Sequence, residues 1–185
     1  HYERALECYD KALESIPDEE LPLGWPFDRM LYPFYGKPVE KNELTKAVIW
    51  VNKGNILYEM GKLEEAIECY DKALNLAPDN ALIWYLRAQT LLQIGKIDDA
   101  IENLDEVVKL KPDFAEAWLL NGQALQITGR IREALECFQK ALSLDPKLIN
   151  VYEIFLQNFY GGKHVLEHYP KDHMVWITEK ESIPY

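Results

Sequence analysis

Histidines near the C-terminal end, three cysteines and several Gly-Lys pairs are the residues with which this 185-residue chain could do chemistry. His164 and His168 stand at i and i+4, a spacing that lets two imidazoles on one helix face hold a zinc ion, and His173 follows. No Glu adjoins His164 to complete a metalloprotease motif and no Cys is near, so no metal is expected. Cys69 and Cys137 are 68 residues apart, and Cys8 shares with Cys69 the run Glu-Cys-Tyr-Asp-Lys-Ala-Leu. A shared context at such spacing marks equivalent sites of a repeat. Equivalent sites lie too far apart for a disulfide, whose Cα atoms must come within roughly 7 Å. All three thiols are therefore expected to be buried and structural, in a reducing compartment. Gly36-Lys37, Gly61-Lys62 and Gly95-Lys96 are not phosphate loops, because Leu31, Ile56 and Thr90 occupy the position where a preceding glycine is required. Neither a nucleophile elbow nor a dinucleotide fingerprint occurs. No catalytic residue, no enzyme activity and no cofactor is expected.

Charge narrows the partners. The formal net charge is −11, with 31 acidic against 20 basic residues, which argues against a surface that grips phosphates. The acids gather as Glu64-Glu65, Asp98-Asp99, Glu133 and Glu136, where they suit a solvated helix face and a helix start. A hydrophobic share of 48% and an aromatic share of 12% suffice for a packed core. No apolar run approaches the roughly 18 residues of a membrane span, so neither nucleic acid nor membrane is expected as a partner and a cytoplasmic location is. The chain opens at His1 within a motif, so it is expected to be a fragment, and a targeting signal could precede it.

The elements that carry these residues repeat. Ala47, Trp50, Gly54, Leu57, Gly61, Ala66, Tyr70, Ala73 and Pro78 recur 34 residues later as Ala81, Trp84, Ala88, Leu91, Gly95, Ala100, Leu104, Val107 and Pro112. A further 34 residues on stand Ala115, Trp118, Gly122, Leu125, Gly129, Ala134, Phe138, Ala141 and Pro146. This period and this aromatic, small and Pro pattern resemble the tetratricopeptide repeat (TPR) family. Small residues such as Gly54, Ala66 and Ala88 sit where two helices cross closely. The tryptophans fill the space between neighbouring pairs, and Gly61, Gly95 and Gly129 suit the turn within each pair. The resemblance implies an all-α, right-handed superhelical solenoid of helix-turn-helix repeats: three full repeats plus partial repeats at each end.

Residues 1–17 match the second helix of a partial repeat, since Ala5, Tyr9, Ala12 and Pro17 fit the template. Its apolar face needs cover, because each large side chain left in water forgoes roughly 1.5–3 kcal/mol. Residues 18–46 hold an insertion of 27 residues relative to the regular array, with Pro22, Pro26, Pro33 and Pro38 among five aromatics. Such a stretch excludes a long helix yet is too aromatic for a solvated linker. An ordered loop with a helical turn near 27–31 is expected, shielding a helix end or overhanging the array. Repeats follow at 47–80, 81–114 and 115–148, with helices expected at 45–59 and 63–76, 81–93 and 97–110, and 115–127 and 131–144. Residues 149–160 match a further first helix, and 161–185 a capping tail with a short helix at 164–168 and an extended run at 174–178.

The family's first helices line the concave side, so the resemblance nominates groove residues one position at a time. Val48, Val51, Asn55 and Tyr58 face inward from the first pair, and Leu82, Tyr85, Gln89 and Leu92 from the second. Glu116, Leu119, Gln123 and Gln126 follow from the third, and Asn150, Glu153, Gln157 and Tyr160 from the partial repeat. Asn55, Gln89, Gln123 and Gln157 form a row of amides spaced by 34, able to hydrogen-bond an extended peptide backbone. Some family members clamp the carboxylate tail of chaperones with Lys, Asn and Arg. Here Val51, Leu86, Glu116 and Leu120 stand where polar or basic clamp residues are needed, so chaperone-tail recognition is not expected. The groove favours a peptide or helix of another protein with an apolar portion and a basic one. The expected function is a non-catalytic scaffold for protein binding. Two alternatives stand beside it: a self-assembly module, forming a homo-oligomer through the N-terminal helix, the insertion or the tail, and the interaction region of a larger enzyme.

Overall fold

Each repeat begins its turn with a glycine that no other residue would replace without strain. Gly61, Gly95 and Gly129 have φ of 76°, 81° and 78°, in the left-handed region. In each, the amide after the glycine bonds back five residues: Lys62 N–H to Leu57 O, Lys96 N–H to Leu91 O, and Arg130 N–H to Leu125 O, all at 2.9 Å. The glycine amide itself donates to Tyr58, Leu92 or Gln126. This paired pattern is the Schellman motif, and it satisfies carbonyls that the helix end would leave without partners. Helix and turn therefore recur with the 34-residue period.

The computed structural model describes residues 2–16 and 41–148. Among them are seven α-helices and no strand: α1 (Tyr2–Ser15), α2 (Lys41–Glu59), α3 (Leu63–Leu76), α4 (Ala81–Gln93), α5 (Ile97–Leu110), α6 (Ala115–Ile127) and α7 (Ile131–Leu144). The bounds from α3 to α7 coincide with those expected. Helix α2 starts at Lys41 rather than at 45, because Asn42, Glu43 and Leu44 carry no helix-breaking side chain and the last proline before them is Pro38. The chain divides into two compact units, His1–Leu144 and Asp145–Tyr185. In the first, α2 packs on α3, α4 on α5 and α6 on α7, while α3 meets α4, α5 meets α6, and α1 meets α2. This is the right-handed superhelical solenoid of helix pairs. In the second, a single turn of 3₁₀-helix at Pro146–Leu148 is described. None of the described helices is long and apolar enough to cross a membrane. The helical turn looked for at 27–31, the segments beyond 148 and all four histidines lie outside the described residues.

Within each pair the core is a small residue facing a large one. Ala66, Ala73, Ala88, Ala100, Ala117, Ala124 and Ala134 are fully buried. Tyr70, Leu104 and Phe138 fill the crossings at one equivalent position and are 1%, 0% and 2% exposed. A Cβ on Gly54 would stand 2.7 Å from Tyr70 Cε1, and one on Gly122 would stand 2.8 Å from Phe138 Cε1. Where the partner is the smaller Leu104, the chain carries Ala88. Ring size on the second helix thus fixes the residue tolerated on the first.

One expectation is corrected. Cys69 and Cys137 are buried, but Cys8 is exposed. Helix α1 has its main contact with α2, whereas α3 is held between α2 and α4. The site around Cys69 is covered from two sides and that around Cys8 from one, and no residue of α1 is buried.

Candidate functional site

Two sets of side chains leave the core, and they serve different ends. One set ties repeat to repeat. Arg87 on α4 donates through Nε to Asp71 Oδ1 of α3 at 2.7 Å and through Nη1 to Asn103 Oδ1 of α5 at 2.8 Å. At the equivalent position of α6, Asn121 Nδ2 donates to Asp105 Oδ1 at 2.9 Å. On α2, Lys53 pairs with Asp10 of α1. Donor and acceptor are 16 residues apart in the first two cases and 43 in the third; the difference, 43 − 16 = 27, equals the insertion counted from the sequence. The tryptophans add a second tie: Trp84 Nε1 donates to Pro78 O at 2.8 Å and Trp118 Nε1 to Pro112 O at 2.9 Å. Trp50 instead carries Lys72 and Lys53 over its ring, at 4.3 and 5.4 Å. The 34-spaced run Lys53, Arg87, Asn121 was legible in the sequence, and so was the aspartate run Asp71, Asp105. Their pairing was not, because it joins different repeats.

The second set lies on the first helices α2, α4 and α6. Tyr58 of α2 accepts a hydrogen bond through its hydroxyl from Gln93 Nε2 of α4 at 2.7 Å. The ring of Tyr85 lies against Phe114, with centroids 4.9 Å apart, and its hydroxyl accepts from Gln89 Nε2 at 3.3 Å. Burial raises the Tyr85 pKa above the usual phenol value, and the Glu116 carboxylate and Tyr58 add to the shift. Tyr58, Tyr85 and Glu116 stand one on each of three successive first helices, with Tyr58 bonded to Gln93 of α4 and Tyr85 packed on Phe114, two residues before Glu116.

The remaining nominated residues divide by exposure. Val51 is half-buried and packs, like Tyr58, on the core around Ala47, Leu57 and Tyr70. Leu82 is 42% exposed, unusual for a leucine beside a packed core, and Glu116 and Gln123 are exposed as well. Leu119 and Gln126 are half-buried. Of the amide row, Asn55 Oδ1 accepts from the Tyr70 hydroxyl at 2.8 Å and Gln89 is turned to Tyr85, so Gln123 is the exposed member among the described residues. Glu153 and Gln157 lie outside the described residues. Gln93 and Phe114 were not nominated. Each sits one residue beyond the positions read for the groove or before the next helix, and only the packing of neighbouring repeats brings them in.

The buried thiols face no such surface. Burial pushes the Cys137 pKa up to about 12, with Asp105, Glu136 and Glu133 adding to the shift and Arg130 opposing it. Cys69 is raised by burial too, against the opposing charges of Lys53 and Lys72. A thiol held protonated is a poor nucleophile and metal ligand. Among the described residues no group of three His, Cys, Asp or Glu side chains is gathered as a metal site would need.

Comparison with known proteins follows the same lines. A family profile described as TPR repeat matches residues 54–95, and one described as Tetratricopeptide repeat matches residues 85–149. A search of curated proteins finds no significant match. Among solved structures, the second TPR of Spaghetti (RPAP3) bound to the HSP90 peptide SRMEEVD is 30% identical, with a TM-score of 0.55 over 57% of this chain and 96% of that one. The second TPR domain of human RPAP3, in complex with the HSP70 peptide SGPTIEEVD, is 30% identical, with a TM-score of 0.54 over 56% of this chain and 87% of that one. MamA, at 18% identity, shares the fold with a TM-score of 0.68 over 98% of this chain and 92% of that one. With three 34-residue helix pairs, two matching profiles and 30% identity across almost all of a solved TPR domain, the chain belongs to the tetratricopeptide repeat family.

Proposed function

We propose that this chain is a non-catalytic scaffold that binds a peptide or helix of another protein across the face formed by α2, α4 and α6. One observation carries the reading: Tyr58 of α2 is bonded to Gln93 of α4, and Tyr85 of α4 packs on Phe114, two residues before the exposed Glu116 of α6, while Leu82, one turn before Tyr85, is 42% exposed. Aromatic rings fixed by their own hydrogen bonds and ring contacts lose little conformational freedom when a ligand packs on them. The similar RPAP3 domains hold HSP90 and HSP70 peptides, which supports a protein segment as the ligand. On this reading Val51, Asn55 and Gln89 support the face, while Leu82, Glu116, Leu119, Gln123 and Gln126 meet the ligand. A cytoplasmic setting and independence of nucleic acid, membrane and cofactor belong to the same proposal.

The test is a comparison of partners captured by the parent chain and by a Tyr85→Ala, Gln123→Ala variant that still melts cooperatively. A partner kept by the parent and lost by the variant supports the face as the working surface; identical partners on both refute it. Self-assembly is the second reading, favoured by one observation: no residue of α1 is buried and Tyr2 is 49% exposed. A mass that rises with concentration in sedimentation, and falls back with Tyr2→Lys, would support it.

A further inference from the structure

The charges on this face select among ligands. Among the charged residues of α2, α4 and α6 whose side chains are described, those exposed are all carboxylates: Glu43, Glu59 and Glu116. The cations on the same helices, Lys46, Lys53 and Arg87, are half-buried. Lys53 is committed to Asp10, and Arg87 to Asp71 and Asn103; Lys46 has an interaction of its own. An acidic segment laid on the face would therefore meet Glu116 without, among the described side chains of these helices, an uncommitted guanidinium or ammonium group to receive it. The aromatic pair that leads into Glu116, Phe114 two residues before it and Tyr85 4.9 Å from Phe114, has the opposite preference. Lys111, just before α6, already holds its ammonium 5.1 Å from the centre of the Phe114 ring, which lies tilted against Tyr85. A ring face and an exposed carboxylate two residues along the chain attract a cation by two independent means.

We propose that the partner segment presents a lysine or arginine to Glu116, beside the Tyr85 ring, with an apolar side chain next to it on Leu82. The ligand is thus a basic and apolar protein segment, opposite in charge to the SRMEEVD and SGPTIEEVD tails held by the similar structures. This inference rests on the groove reading above. It goes beyond that reading in fixing the sign of the ligand and the side chain that recognises it.

The experiment is a display selection of random dodecapeptides on the parent chain, followed by titration of the most enriched peptide, made synthetically and labelled. The proposal expects Lys or Arg at a fixed position among apolar residues. It expects affinity to fall about threefold with Glu116→Gln and about tenfold or more with Glu116→Lys, and to weaken with added salt. It expects no saturable binding of the peptide SRMEEVD. Enriched peptides that are acidic or neutral, or that bind Glu116→Lys as tightly as the parent, would overturn it while leaving the groove reading intact, provided the Tyr85→Ala, Gln123→Ala variant loses them. Peptides that bind this double variant unchanged, or a selection that enriches none, would overturn both. Glu116 is exposed, so its variants are expected to melt with the parent, and a melting curve checks this.

Discussion

At the scale of single residues, one methyl group tests the packing. Gly122→Ala puts a carbon 2.8 Å from Phe138 Cε1, and overpacking of this kind costs about 1–3 kcal/mol in chemical denaturation. In a Phe138→Leu background the same change should cost far less, because the chain itself pairs Ala88 with Leu104. Equal costs in both backgrounds would refute the size rule. Thiol reactivity gives a second prediction. A charged alkylating reagent at neutral pH should modify one cysteine per native chain, Cys8, and three once the chain is unfolded. The buried Cys137 also fixes a pH dependence. The unfolded chain releases this proton near pH 9.0 but the folded one only near pH 12, so folded stability is intact below pH 9 and falls as pH rises between those values. A flat stability profile across that window would contradict the burial of this thiol. The exposure of Cys8 was not legible in its sequence context, which is identical to that of Cys69. What differs is the number of helices that cover it.

At the scale of elements, the helix bounds were legible because Gly61, Gly95 and Gly129 and the prolines that follow each second helix act locally. A turn that requires positive φ announces itself by glycine. Gly95→Ala, at φ 81° with open space around it, should therefore cost about 1 kcal/mol from backbone strain alone, with no packing rescue available. The ties between repeats were less legible, since they depend on which helices stack. Arg87→Leu leaves Asn103, 5% exposed, without the donor to its Oδ1 as well as breaking the pair with Asp71. It should cost about 1–3 kcal/mol. Lys53→Leu breaks one pair with a half-exposed Asp10 and should cost at most about 1 kcal/mol. Equal losses, measured by urea denaturation, would contradict the distinction.

At the scale of the molecule, a solenoid divides its labour: second helices and the inner faces of first helices hold the stack, and what is left over on the first helices is free to bind. The family pattern nominated that leftover face, where Tyr58 is bonded to Gln93 and Tyr85 packs on Phe114. It did not foresee that Asn55 and Gln89 would be drawn into bonds with Tyr70 and Tyr85, because a periodic row in sequence does not reveal which members spend their polar atoms internally. The most direct measurement is site-specific photocrosslinking, with a benzophenone amino acid placed at Leu82 on α4 or at the exposed Glu102 on α5, in extract of the source cell. A protein crosslinked from Leu82 and not from Glu102 is the result expected if the first helices are the working surface. Crosslinks from Glu102 with none from Leu82 would move the binding function to the second helices and contradict the account.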